Sequence, residues 1–371
     1  MDATLLTDPA FWRDREPLSA GDGDLRLSEF PELAGHVLFL TSGSTGEPKW
    51  VALSKQALLV SAAAVNAHLA VEGDSIWGLA LPLHHVGGFG VVARAYEAGC
   101  GLRIFHSRWE PVSFQHWLME SGVTHTSLVP TQVHDLVRAG LRAPATLRAV
   151  VVGGGSLELA VGHAARALGW PVFASFGMTE AASQIATQSL DALGEPYQVA
   201  PLPLLPIWQA EVSPEGTLCL AGPALFSGYV MGGKFVPREG EFYATSDRIT
   251  LENRRLTPQG RADTLVKVLG ELVDPLAIER ELLEISGGEL CASRVAVLAI
   301  PDARCEHRLV PIFEAPVDAA LVRHCLAVHQ QQCVGFRRLQ EAVVIAEFPR
   351  SALGKLRRAE LAALYLQETQ A

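Results

Sequence analysis

Cysteine is scarce and unpatterned. The 371 residues hold six, at positions 100, 219, 291, 305, 325 and 333, and no two form a Cys-x-x-Cys pair. That excludes a ribbon-type metal site and a redox dithiol, and it fits reduced thiols in the cytoplasm. Positive charge is also short, with 30 Lys and Arg against 40 Asp and Glu and a net charge of −10. With no Lys/Arg run present, this balance argues against nucleic acid as a partner. No apolar run reaches the roughly 20 residues of a membrane-spanning helix. The start, Met-Asp-Ala-Thr-Leu-Leu-Thr-Asp, lacks the basic and apolar regions of a secretory signal. There is no internal repeat, and no glycine-rich loop ends in the Gly-Lys-Ser/Thr of a Walker A motif.

What is present is a globular composition rich in turns: 49% hydrophobic residues, 33 glycines and 22 prolines. The length predicts two or three domains. The most informative stretch is Thr41-Ser-Gly-Ser-Thr-Gly-Glu-Pro-Lys49. An apolar run over 37–40 leads into it and reads as a strand. Glycines let backbone N–H groups turn toward an anion, hydroxyls add small donors, and Lys49 adds a mobile cation. A surface turn is the plain reading of such a cluster, but the strand in front and the lysine behind favour a polyphosphate site. Alanine-rich residues 54–69 follow with helical spacing and Ser54 as N-cap, predicting a strand–loop–helix unit.

Further stretches share one form, an apolar strand ending in polar or glycine residues. Leu79-Ala-Leu-Pro-Leu-His-His-Val-Gly-Gly88 ends in His84 and His85. Thr124 to Gln132 runs into a turn, Leu147 to Ser156 ends in Gly153, Gly154 and Gly155, and Pro171 to Glu180 ends in Thr-Glu. Helical segments between such strands imply a largely parallel sheet, whose ligands gather at the carboxyl ends of the strands. Arg94 sits on an otherwise apolar segment, either as a structural ion pair with a carboxylate such as Glu97 or as a carboxylate clamp. From 196 to 250 short strands predict a small β subdomain. Beyond it come helices over 275–285, near 317–328 and over 357–367, with strands over 294–300 and 342–348. Early residues Phe11 and Trp12 are suited to pin the N-terminal segment to a core.

Ser-Gly-Ser-Thr-Gly-x-Pro-Lys, Phe-Gly-Met-Thr-Glu, Thr-Ser-Asp, Gly-Arg-Ala-Asp and a late Gly-Lys occur in order across residues 38–358. Together they resemble the acyl-adenylate-forming enzymes: acyl- and aryl-CoA ligases, peptide-synthetase adenylation domains and luciferases. The resemblance implies an α/β fold. A large domain over 1–260 would have mainly parallel sheets and the small β subdomain, and a mobile α+β lid would span 261–371. It implies attack of a carboxylate on ATP to give an acyl-AMP, then transfer to CoA, with Mg²⁺ as cofactor. It assigns Lys355, Glu180 and Thr179 to catalysis, with Glu180 also the metal ligand. Thr41, Ser42, Gly43, Ser44, Thr45, Gly46 and Lys49 would hold phosphates. Gly153, Gly154, Gly155, Phe176 and Gly177 would hold adenine, Asp247 and Arg261 the ribose, and Asp263 would be the hinge.

Three stretches narrow the resemblance to members that use an aromatic dicarboxylic acid: Leu-Pro-Leu-His-His-Val-Gly-Gly, Thr-His-Thr-Ser-Leu-Val-Pro-Thr-Gln and Met-Thr-Glu-Ala-Ala-Ser-Gln-Ile-Ala-Thr. In that reading His85, Arg94, Ser183 and Gln184 bind the acid, and Arg94 holds the carboxylate that does not react. A ligase for another aryl or acyl acid and a non-catalytic nucleotide-binding homologue are the alternatives, and a homodimer is left open. The sequence departs from the family in having 40 residues before the phosphate loop where members usually carry a hundred or more. Ser246 stands for a common glycine, Phe176 for a common tyrosine, and Leu204-Leu205 for a usual glycine.

Overall fold

The computed structural model describes residues 3, 5–21, 25–42, 48–302, 304–351, 354 and 356–370. The chain divides into two compact units, Met1–Thr245 with Ile249–Pro258, and Gln259–Ala371 with Ser246–Arg248.

At the centre of the first unit is a six-stranded sheet. Its order is Gly101–Ile104, Ile76–Leu79, His125–Leu128, Ala149–Val152, Val172–Met178, Ser183–Thr187. The first five strands are parallel and the last is antiparallel. Ala149–Val152 is buried at every position, as a strand covered on both faces must be. The helices Val86–Glu97, Pro111–Ser121, Pro130–Arg138 and Leu159–Ala167 make the crossovers. Local chemistry sets their ends. For Pro111–Ser121, the Glu110 carboxylate accepts the N–H groups of Val112 and Ser113, proline opens the first turn, and Gly122 closes the helix at φ 66°. Strand order reverses beside Ile76–Leu79, because the chain lays Gly101–Ile104 on one side of it and His125–Leu128 on the other. Such a reversal leaves a crevice at the carboxyl ends of the strands.

The expected strand–loop–helix unit around the glycine-rich stretch is instead a hairpin. His36–Ser42 and Pro48–Ser54 are antiparallel, with Thr41 opposite Lys49. The helix Lys55–His68 starts only after the second strand, where Ser54 Oγ accepts the Ala57 N–H as its N-cap. The strand Pro48–Ser54 thus separates the glycine-rich stretch from the helix Lys55–His68. Both faces of the second strand are covered: Trp50 and Ala52 are buried with Val230 of the strand Gly228–Met231, and Val51 and Leu53 are buried in the main core.

The β-rich stretch expected over 196–250 divides between two sheets. Leu202–Pro203, Gln209–Val212 and Thr217–Ala221 join Tyr243–Glu252 and Arg255–Arg261 in a five-stranded sheet, while Gly228–Met231 and Lys234–Pro237 extend the glycine-loop hairpin. At the N-terminus, Trp12 stacks on Tyr96 with centroids 5.2 Å apart, and the buried Lys55 ammonium donates to the Phe11 carbonyl at 2.7 Å. These contacts dock the leading segment on the helices Val86–Glu97 and Lys55–His68.

The second unit is built on the strands Val295–Asp302, Glu306–Glu314 and Val343–Ile345. Both faces of Val295–Asp302 are apolar, so both are covered. Val295 and Val297 pack on Ile278, Leu282, Val322 and Cys325 from the helices Pro275–Ile285 and Ala319–Gln332. Ala296, Leu298 and Ile300 pack on Leu361 and Tyr365 from Arg358–Gln370. Among the described residues no helix is long and apolar enough to cross a membrane.

Candidate active site

Hairpin and parallel sheet meet at one ion pair. Lys49 Nζ lies 3.6 Å from Glu180 Oε1 and 4.0 Å above the centroid of the Tyr229 ring. Glu180 follows the strand Val172–Met178, so a residue from the hairpin and one from a strand end of the main sheet come together. Tyr229 Oη donates to the same Glu180 oxygen at 2.9 Å and lies 2.8 Å from Tyr243 Oη. Burial, with the Glu180 charge next, pushes the Tyr229 phenol far above its ordinary range, so it stays protonated. Neither tyrosine was singled out from sequence for this role. Tyr243 opens the stretch that ends in Asp247, and Tyr229 lies in a strand that reads only as apolar. Thr41 Oγ1 donates to the Lys49 carbonyl at 3.2 Å across the hairpin. Gly43, Ser44, Thr45 and Gly46 lie outside the described residues, as does the side chain of Ser42.

The other strand ends give an open ledge. Gly153 is half-buried and Gly154 and Gly155 are exposed; Gly154 needs its φ of 76°. Phe176 is half-buried and packs its ring on the core. At Gly177 a Cβ would stand 1.6 Å from the Ser183 carbonyl oxygen, so only glycine lets the last two strands close. Thr179 and Glu180 begin a 3-10 turn that ends in Ala182 at φ 50° and Ser183 at φ 105°. The Ser183 value is strained for a residue with a side chain, and such strain gathers at functional sites.

Ser183 leads to Arg94. On the helix Val86–Glu97, Arg94 is 2% exposed. Its guanidinium donates to Ser127 Oγ at 3.1 Å and Ser183 Oγ at 3.3 Å, and lies 5.2 Å from the Trp77 ring centroid. Among the described residues no carboxylate pairs with it. Glu97, the candidate structural partner, instead accepts from Asn66 Nδ2 at 2.7 Å. Burial lowers the Arg94 pKa to about 10, leaving it charged at neutral pH. A buried cation without an anion costs several kcal/mol, roughly, unless a ligand supplies the charge. Gly90, one turn back, leaves it room, since a Cβ there would stand 3.2 Å from Arg94 Nη2. Ser127 and Gly90 escaped sequence reasoning because neither type is distinctive in a strand or a helix.

His85 precedes the same helix at its N-cap position, half-buried, its ring 4.3 Å from that of His84. Burial, then His84, lowers its pKa to about 4, so the imidazole is neutral near pH 7. Gln184 is buried and accepts from Thr187 Oγ1 at 2.6 Å through its side-chain oxygen. Its amide nitrogen has no partner among the described residues, and it makes no hydrogen bond to Arg94.

In the second unit Arg261 binds Asp263 through two hydrogen bonds, 2.8 and 2.6 Å long, and reaches Asp247 at 3.4 Å. Asp247, Arg261 and Asp263 therefore form one cluster. Lys355 lies outside the described residues.

Residues 18–230 match the family described as AMP-binding enzyme. A 2-succinylbenzoate–CoA ligase of Escherichia coli (strain K12) is 32% identical over 277 residues, covering 74% of this chain and 57% of the relative. A 2-succinylbenzoate–CoA ligase of Bacillus subtilis (strain 168) is 27% identical over 387 residues, covering 96% of this chain and 77% of the relative. A solved structure of an E. coli MenE variant with bound OSB-AMS superposes with a TM-score of 0.73 at 27% identity, covering 90% of this chain and 69% of that one. The chain thus spans 57% of the length of the E. coli ligase it matches. Its fold is the mixed α/β fold of these structures, and on the match over 18–230 the chain belongs to the AMP-binding enzyme family.

Proposed function

We propose that the chain is a cytoplasmic AMP-forming acid–CoA ligase. It joins o-succinylbenzoate to ATP as an acyl-AMP, then passes the acyl group to CoA, in menaquinone or phylloquinone biosynthesis. The observation that carries this reading is the fully buried Arg94, charged and without a carboxylate partner among the described residues. o-Succinylbenzoate has two carboxylates, of which one reacts and one must be held. A planar guanidinium can take both oxygens of the retained one, while neutral His85 adds no competing charge.

Attack of a carboxylate on a phosphate brings two anions together, so cations must converge on them. Lys49, beside the glycine-rich loop, would meet the β- and γ-phosphates, and Thr179 the α-phosphate. The Gly153–Gly155 backbone and the Phe176 ring offer flat faces to adenine. Asp247 would accept from the ribose hydroxyls with Arg261 beside it, and Lys355, by family resemblance, would bridge carboxylate and α-phosphate. Among the described residues no cluster of three or more metal-ligating side chains is present. One carboxylate, Glu180, nevertheless fits Mg²⁺, which is usually held by one or two carboxylates together with substrate phosphates. When bound, the ion would neutralise phosphate charge. Asp263 is assigned the hinge of a mobile C-terminal domain, and Asp263→Pro should slow thioester formation more than adenylation. Equal slowing of both would place the hinge elsewhere.

The test is product identification after incubation with ATP, Mg²⁺, CoA and o-succinylbenzoate. The expected products are o-succinylbenzoyl-CoA and AMP. Turnover of only a benzoate or fatty acid would replace the proposed substrate, and ATP binding with no pyrophosphate exchange for any acid would leave a non-catalytic nucleotide binder.

A further inference from the structure

We propose that Tyr229 is a positioning residue for metal-bound nucleotide: it fixes which oxygen of Glu180 is offered to the cation and seats Lys49 for the phosphates. The inference rests on the nucleotide-binding reading above and deepens it. Two groups converge on one atom. The Tyr229 hydroxyl donates to Glu180 Oε1 at 2.9 Å, and Lys49 Nζ lies 3.6 Å from the same oxygen. Among the described residues Oε2 receives no hydrogen bond, so it is the oxygen left to a hard cation.

The direction of the hydrogen bonds is fixed. A phenol has one proton, and that of Tyr229 goes to the carboxylate. Tyr243, 2.8 Å from Tyr229 Oη, must then donate to it, giving a chain that ends on Oε1. Packing holds the chain in place. Phe226 lies 4.7 Å from the Tyr229 ring and 4.9 Å from the Tyr243 ring, and its N–H donates to the Glu180 carbonyl at 2.8 Å. Sheet register does the rest, because Gly228–Met231 pairs with Pro48–Ser54, Tyr229 opposite Val51. Gly228 permits this closeness, since a Cβ there would stand 2.3 Å from the Val236 carbonyl oxygen. Packing alone would be served by phenylalanine. The hydroxyl is explained by the carboxylate it binds, and the ring face by the ammonium 4.0 Å above it.

Two variants separate these roles. Tyr229→Phe keeps the ring under Lys49 and removes only the donor to Glu180. Tyr229→Leu removes both. Calorimetric titration of the whole chain with ATP is done in excess Mg²⁺ and again in EDTA, with thermal unfolding in parallel. Tyr229→Phe is expected to weaken binding of ATP with Mg²⁺ about tenfold, the loss of one hydrogen bond to a charged group, and to change binding in EDTA by less than about twofold. Tyr229→Leu should weaken binding in both conditions. A merely structural tyrosine would lower the unfolding temperature and weaken both forms together in Tyr229→Phe. That result, or a Tyr229→Phe titration matching wild type in both conditions, overturns the proposal alone. Wild-type protein that binds ATP in neither condition overturns the nucleotide reading and this proposal with it.

Discussion

Arg94 and Arg350 meet their surroundings in opposite ways. In the second unit Arg350 donates to both oxygens of Glu314, a carboxylate 5% exposed that also accepts the Phe348 N–H at 2.6 Å. The hydrogen bonds from Arg350 to Glu314 raise the arginine's pKa. Burial alone would push the Glu314 carboxyl up, but Arg350 and the Phe348 N–H outweigh it and hold it low. In the first unit Arg94 is the more deeply buried of the two, yet among the described residues it has only two serine hydroxyls and an indole face, and its pKa falls to about 10. The pair in the second unit is complete, whereas Arg94 has no anion among the described residues. A cation that completes its pairing inside the fold is structural. On the reading proposed above, one that is walled in without an anion among the described residues is a receptor, and its desolvation cost is what makes its ligand's charge count.

Half-reactions give a large expected effect. Lys355→Ala should slow adenylation by roughly 10²–10³-fold, the usual cost of losing one transition-state contact, and spare thioester formation from pre-made acyl-AMP. Equal loss in both steps would contradict a lysine that serves adenylation alone. Next comes the complete pair. Arg350→Met strands a buried carboxylate and should lower unfolding free energy by about 3 kcal/mol, the low end for a broken buried pair because Arg294 remains 3.6 Å from Glu314. Denaturant unfolding with an unchanged midpoint would show that the pair is not structural. The smallest effect sharpens the incomplete site. Gly90→Ala should lower kcat/KM for the acid about tenfold by shifting the guanidinium. Stability should hold or rise by about 0.5–1 kcal/mol, the usual gain over glycine inside a helix. An unchanged kcat/KM would mean that the guanidinium's exact seat does not matter.

Sequence reasoning reached the strands that end in glycine or Thr-Glu, because apolar runs closed by those residues carry their own signal, but the strand expected to run to His84 and His85 is Ile76–Leu79, and the histidines lie in the segment leading into the helix Val86–Glu97. It also reached the helix Pro275–Ile285 at its observed bounds. It reached the helix capped by Ser54 but missed the strand Pro48–Ser54 between the glycine-rich stretch and that helix, because Trp50 to Leu53 is too short a run to distinguish a second strand from a helix start. Tyr229 and Ser127 were invisible for another reason. Each owes its role to pairing with a residue distant in sequence, Tyr229 to Glu180 and Ser127 to Arg94, and strand register is a tertiary property. Arg94 itself was ambiguous between clamp and ion pair. The Asn66–Glu97 hydrogen bond removes Glu97 as its partner.

The decisive measurement is the kinetics of Arg94→Met with o-succinylbenzoate and ATP varied separately, beside its unfolding temperature. Losing one side of a desolvated ion pair costs about 2–5 kcal/mol, so kcat/KM for the acid should fall by roughly 30-fold to several thousand-fold. KM for ATP should barely move, and stability should hold or rise, since methionine fills the space without a buried charge. A variant with wild-type kcat/KM for the acid, or one that loses stability and both substrates together, would make Arg94 a structural residue and contradict the receptor.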